Sequence, residues 1–358
     1  MNLHLVGGFL GSGKTTAIIG AAKLLMVQDF RVGIVTNDQG RYLVDTAFVR
    51  ASLPGAPAVE VTGGCFCCNY DDLNARLEQI AAVYSPHVIF AESVGSCADL
   101  VATVVKPLQA LAGERFAPSS FSVFADARLL RRRLLGMEMP FSDDVVYIFD
   151  QQLAEAGLMV VNKADLLRPA ELEEVRCLVE EHFPGRPVQY QNSLAVQGVE
   201  QWLARIESGS LPLPVRSLEM DYARYAAGEA GLAWLDEEIH LEGADRQGFV
   251  QQFVASLARR LRESGAGVGH VKLLLRSAGK ELKFSLTTGD DLAAPQFDCP
   301  PGVTELTLNA RVQMPSAALR SLAESALEEA ARMSGVTYRE TDVEYFHPGY
   351  PNPTHKMG

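Results

Sequence analysis

Two patterns of apolar and polar positions follow one another along the chain. Over roughly the first 206 residues, short apolar runs bounded by turn residues fall at 3–6, 31–36, 59–61, 87–91, 121–125, 158–161 and 188–190. Between them lie stretches with helical apolar spacing, among them 15–27, 71–83, 143–156 and 169–182. Strands that read as continuous apolar runs, separated by helices, predict a mainly parallel sheet covered on both faces. The expected class is α/β with a doubly wound sheet.

The alternation breaks at 208–217, SGSLPLPVRS, a stretch rich in Ser, Gly and Pro. This places a first domain at 1–208, a linker at 209–218 and a second domain at 219–358. In the second part, strands are expected at 232–241, 268–275, 281–287, 305–312 and 336–345. Helices are expected at 245–263 and 315–333. That β-α-β-β-β-α-β order predicts a smaller α+β domain, with helices on one face of an antiparallel sheet. The tail from 347 carries three prolines and reads as extended.

Composition narrows the function class. With 47% apolar and 21% charged residues, the 358-residue chain has the balance of a soluble globular protein. A net charge of −12 argues against a general nucleic-acid binder. No apolar run reaches the roughly 18 residues of a membrane helix. The first motif begins too near Met1 to leave room for a signal peptide, so a cytoplasmic location is expected. Of six cysteines, Cys65, Cys67 and Cys68 crowd into one segment, which suits metal or redox chemistry better than a disulfide framework.

Four motifs carry the chemistry. Gly8-Phe9-Leu10-Gly11-Ser12-Gly13-Lys14-Thr15 matches GxxxxGK[ST] between an expected strand and an expected helix. Its backbone N–H groups, at Gly11, Ser12, Gly13 and on to Thr16, would cradle phosphates, with the helix N-terminus adding positive charge. Lys14 would reach the β- and γ-phosphates, and the Thr15 hydroxyl would take one Mg²⁺ position. Asn162-Lys163-Ala164-Asp165 stands at a strand end. Its Asp can accept from the N1 and exocyclic amine of guanine, a donor pair adenine lacks. Glu92-Ser93-Val94-Gly95 ends another strand. Glu92 could hold Mg²⁺ and Gly95 could offer its N–H to the γ-phosphate. Gly63-Gly64-Cys65-Phe66-Cys67-Cys68 supplies up to three soft thiolates suited to Zn²⁺ or Cu(I). Cys97 is a candidate fourth ligand if the strands preceding the two segments are neighbours. Structural thiols and a redox pair remain as other readings of the cluster. His270 reads as a structural strand histidine, and Arg131-Arg132-Arg133 as a solvated helix face.

In combination, order and spacing, GGFLGSGKTT, GGCFCC, ESVG and NKAD resemble the CobW-like GTPases, relatives of the HypB and UreG metallochaperones. The segment Asn37-Asp38-Gln39-Gly40 with Asp45 looks like that family's nucleotide-responsive switch, and Asp126 resembles its VDA motif. The likeness spans about residues 1–206. It implies a GTPase that binds a transition metal, zinc or cobalt, at the CxCC cysteines and delivers it, or inserts a metal cofactor, into a client protein. Asp38 and Asp45 would order Mg²⁺ or the attacking water, with Asp38, Lys14 and Glu92 forming the catalytic set. A homodimer is implied for some members. The chain departs from the family in its scattered histidines, in Asp38 where Glu is commoner, and in its second domain. A GTPase switch that assists a cofactor-bearing, possibly corrinoid, enzyme is the rival reading. A P-loop kinase and a non-enzymatic assembly module are weaker ones.

Overall fold

The computed structural model describes residues 1–37, 40, 44–277, 279–287 and 299–358. The first half runs β1 (Asn2–Gly8), α1 (Lys14–Val27), β2 (Val32–Asn37), α2 (Val44–Ser52), β3 (Ala58–Val61), α3 (Tyr70–Tyr84) and β4 (Val88–Glu92). It continues through α4 (Lys106–Leu111), β5 (Ser120–Asp126), α5 (Ala127–Leu134), α6 (Asp143–Ala154), β6 (Leu158–Asn162), α7 (Pro169–His182), β7 (Val188–Tyr190) and α8 (Val196–Glu207). The seven strands form one parallel sheet in the order β3-β2-β4-β1-β5-β6-β7. Central strands such as β4 and β6 are buried at every position, because helices cover both faces. Alternate residues serve two cores. Leu3 and Leu5 point into one, and Val6 joins Ile34, Phe90 and Trp202 in the other.

The second half opens with α9 (Tyr222–Ala230), which packs against α6. Then come β8 (Ala233–Glu242), α10 (Arg246–Ser264), β9 (Val268–Ser277), β10 (Lys280–Leu286), β11 (Glu305–Val312), α11 (Ser316–Ser334) and β12 (Thr337–Phe346). The sheet is antiparallel, in the order β10-β9-β11-β8-β12. Its strands alternate, with register shifts at Arg311/Val312 and Glu340/Asp342. Leu235, Ile239, Val271, Leu273, Leu308 and Ala310 pack with Phe253, Leu257, Leu319 and Ala326 of α10 and α11. The opposite face carries Trp234, Asp236, His270, Lys272, Asn309 and Arg311, all buried or nearly so. A polar sheet face kept from solvent must be covered by something polar, and here the first domain's phosphate loop lies against it.

The tail after β12 has no regular structure and runs back over the first domain. Thr354 N–H donates to Cys67 O at 2.9 Å, and Met357 N–H to Ala102 O at 2.9 Å. The His355 ring stands edge-on to Tyr70, with centroids 4.9 Å apart. Among the described residues no helix is long and apolar enough to cross a membrane.

Candidate functional site

The order of strands reverses about β1, which lies between β4 and β5. Ligands of such sheets bind where the strand order reverses, beyond the carboxyl ends of the strands. The phosphate loop occupies that place, between β1 and α1. Its first glycine, Gly8, has φ 125°, and a Cβ there would meet Phe124 O at 2.2 Å. Gly13, φ 90°, precedes α1, and a Cβ on it would stand 2.3 Å from Asn162 Nδ2. No residue with a side chain fits either position without moving backbone or the base-recognition loop. Lys14 Nζ donates to Gly8 O at 2.8 Å and Phe9 O at 3.3 Å. Burial pulls its pKa down to about 8, so an incoming anion would stabilise the charged form.

Thr15 Oγ1 donates to Glu92 Oε1 at 2.9 Å. Glu92 Oε2 is buried without a partner, and burial raises this carboxyl above the usual range. A hydroxyl beside a carboxylate with a spare oxygen is a hard oxygen donor set, and it fits Mg²⁺.

Asn162 joins the loop after β6 to the phosphate loop. Its Nδ2 donates to Ser12 O at 2.7 Å, and its Oδ1 accepts from Ser193 N at 3.0 Å and Ser193 Oγ at 2.8 Å. Lys163, at φ 59°, pairs with Asp126 at 3.1 Å, and Asp126 is itself held by Arg128 at 2.7 Å. The exposed Asp165 faces the same cavity. That cavity has a volume of about 640 Å³ and brings together Gly11 to Thr16, Glu92, Gly95, Asn162, Lys163 and Asp165. Asp38 lies outside the described residues.

The far wall of the cavity comes from the second domain. His270, Lys272, Lys283, Ser285, Thr287, Trp234 and Arg311 all face it. Asp45 of α2 is clamped there between Lys272 and Lys283, the latter at 2.8 Å, and the two ammonium groups hold its carboxyl well below the usual range against the cost of burial. His270, expected to be structural, is part of this wall. The signal was present as polar alternation in three strands, but it reads equally as a solvent-facing surface.

The cysteines form a second centre. The Sγ atoms of Cys65, Cys67 and Cys68 lie within 4.8 Å of one another, with Cys65 and Cys67 at 2.7 Å. Hydrogen bonds from neighbouring thiols hold Cys65 well below its ordinary pKa and push Cys67 up, which is how one thiolate among thiols behaves. The buried Cys97 acts on both. Strand adjacency does not bring it there, since β2 separates β3 from β4. The loops beyond the strands do. Cys68 is the half-buried member, and the tail reaches it through Asn352 N at 3.3 Å.

Asn37, at the end of β2, touches both centres. It faces the nucleotide cavity, yet its Nδ2 donates to Val61 O at 3.1 Å and Gly64 O at 2.8 Å, and its Oδ1 accepts from Phe66 N at 2.8 Å. The cysteine loop therefore hangs on a residue of the nucleotide cavity.

Known proteins similar in sequence include a zinc chaperone CobW from a Sinorhizobium species, 29% identical over 215 residues, covering 52% of this chain and 57% of its own. The zinc chaperone YeiR of Escherichia coli K12 is 31% identical over 173 residues, covering 46% of this chain and 47% of its own. The chain thus spans about half the length of the curated relatives it matches. Among solved structures, HypB from Helicobacter pylori in complex with nickel covers 61% of this chain and 92% of its own, at 16% identity and TM-score 0.42. That likeness is too distant to bear on function. Residues 2–189 match the family described as CobW/HypB/UreG, nucleotide-binding domain, and the chain belongs to that family of P-loop GTPases.

Proposed function

We propose that this protein binds and hydrolyses GTP and uses the cycle to load or release a transition-metal ion, zinc or cobalt, held by Cys65, Cys67 and Cys68. The observation that carries the reading is Asn37, which faces the nucleotide cavity while holding the Gly64–Phe66 turn by two hydrogen bonds and the end of β3 at Val61 O by a third. A shift of the β2 end on γ-phosphate binding would move the thiolates. Lys14 binds the β- and γ-phosphates, and Thr15 and Glu92 hold Mg²⁺, which when bound neutralises charge developing between them. Asn162, Lys163 and Asp165 select guanine. The metal is cargo for a client metalloprotein. Cys97 completes a four-sulfur set when the ion is held, and only the Cys68 side opens toward the surface.

The near-complete burial of Cys65, Cys67 and Cys97 favours one other reading, a fixed structural metal beneath a GTPase switch that acts on a cofactor-bearing enzyme. Zinc affinity by chelator competition, with Mg²⁺ and either GDP or a non-hydrolysable GTP analogue, separates the two. A tenfold difference corresponds to a coupling of about 1.4 kcal/mol, reciprocal between metal and nucleotide. Equal affinity in both states sinks the carrier reading and leaves the structural one.

A further inference from the structure

The second domain borders the same cavity as the phosphate loop. We infer that its sheet supplies the γ-phosphate half of the hydrolytic site, with Lys272 as a cation for the γ-phosphate and His270 Nδ1 as acceptor for the attacking water. The inference rests on the GTPase reading and adds to it two residues from outside the matched domain.

Register places these groups together. Lys272 lies opposite Asn309, Arg311 opposite His270, and Asn309 opposite Asp236, so all share one face of the antiparallel sheet. That face closes the cavity that also holds Lys14, Thr15 and Glu92. The contact with the phosphate loop is close, since a Cβ on Gly11 would meet Gly269 O at 2.8 Å and Thr287 Cγ2 at 2.5 Å.

The tautomer of His270 follows from its neighbours. The carboxylate of Asp236 can only accept, so the Asn309 atom 2.8 Å from Asp236 Oδ1 is the amide nitrogen. The other Asn309 atom, Oδ1, then faces His270 Nε2 at 2.7 Å and requires a proton there. The ring is neutral, because burial pulls its pKa well below the ordinary value. His270 Nδ1 is therefore a bare lone pair. It is buried without a partner in a residue that lines the cavity. A chain Asp236–Asn309–His270 fixes the ring, as an orienting group fixes a general base.

Lys272 is neutralised by Asp45, a residue of the helix that follows the switch segment, and Lys283 holds the other carboxylate oxygen. Lys272 lines the same cavity as Lys14, Thr15 and Glu92. A γ-phosphate competes with Asp45 for this ammonium, while Lys283 keeps Asp45. In the reaction the water oxygen, its proton hydrogen-bonded to Nδ1, bonds to the γ-phosphorus. The bond from γ-phosphorus to the bridging oxygen breaks, its electron pair stays on the β-phosphate, and the water proton passes through Nδ1 to the departing phosphate.

The experiment uses the full-length chain with fluorescent GDP, a fluorescent imido analogue of GTP, and phosphate release from GTP. Lys272→Gln is expected to weaken the triphosphate analogue at least tenfold and GDP less than twofold, with Lys272→Arg restoring most of the loss. His270→Ala is expected to lower kcat at least a hundredfold with both affinities within twofold. Asp45→Asn, which frees Lys272, is expected to tighten the triphosphate analogue and serves if Lys272→Gln fails to fold. Equal effects on GDP and triphosphate, or wild-type turnover in His270→Ala, overturn the inference. If the wild-type chain itself binds no guanine nucleotide, the GTPase reading falls instead, and that control is read before any variant.

Discussion

Truncating Asn162 tests whether the base-recognition loop and the phosphate loop are one structural unit. The side chain is 1% exposed and makes all its contacts internally. Asn162→Ala removes the bond to Ser12 O and the two bonds from Ser193. Ser193 Oγ still accepts from Gln191 Nε2 at 2.9 Å and its freed hydroxyl proton can rotate, so the fixed groups left without partners are Ser12 O and Ser193 N–H. Each such buried group costs about 1–3 kcal/mol, which gives a loss of about 3 kcal/mol for the pair after partial access of water. Domains of ordinary stability, about 5–15 kcal/mol, survive that. Urea unfolding should show the midpoint falling with the slope unchanged. GDP affinity should fall by tenfold or more, since Ser12 carries the loop that meets the phosphates. Asn162→Asp sharpens the test. It keeps both acceptor bonds but sets a carboxylate oxygen where the amide met Ser12 O at 2.7 Å, so it should cost at least as much as Ala. Stability within about 0.5 kcal/mol and GDP affinity within twofold for Asn162→Ala would refute the coupling.

Glu155 is buried with its carboxyl raised to about 8, chiefly by burial, so the folded chain keeps a proton that the unfolded chain releases nearer pH 4.5. Stability should fall as pH rises between those values, by up to about 1.4 kcal/mol per unit, and Glu155→Gln should flatten that slope; an unchanged slope in urea unfolding at pH 5, 6.5 and 8 contradicts this. Removing residues 351–358 takes away the contacts of Asn352 and Thr354 with Cys68 and Cys67. Cys68 should then react with a thiol reagent about tenfold faster at unchanged thermal stability of the cores, and an unaltered rate would show that the tail does not cover it. Gly8→Ala, with its Cβ 2.2 Å from Phe124 O, must open the pairing of β1 with β5 and should lose more than about 3 kcal/mol, checked by thermal unfolding. Asn37→Ala should leave metal bound but abolish the difference in its affinity between GDP and triphosphate states, measured by chelator competition.

The parallel half was legible because its strands are buried on both faces and leave unbroken apolar runs, as in Leu158–Asn162. Helix α9 was not. Its run Tyr-Ala-Arg-Tyr-Ala-Ala-Gly-Glu-Ala is short and rich in small residues, and its buried Tyr225 and Glu229 accept hydrogen bonds from Ala98 N and Ser96 Oγ of the first domain. The motifs marked the Gly8–Thr15 loop, the Asn162–Asp165 loop and the cysteines, since each is local in sequence. The roof of the cavity is not local. His270, Lys272, Lys283, Asn309 and Arg311 come from three strands, and each strand alone reads as an amphipathic edge with a wet face. Pairing register turns those separate alternations into one surface, and only contact with Gly11 and Leu10 turns the surface into a wall. A buried polar face is costly unless its groups are satisfied. Here Arg311 stacks 3.8 Å over Trp234 and pairs with Asp236, while His270 Nδ1, Trp234 Nε1 and Ser12 Oγ stay without partners around one cavity. Unsatisfied groups gathered from both domains about a single space are what a folded chain retains when a polar ligand completes it, and the nucleotide site proposed above draws on both halves for that reason.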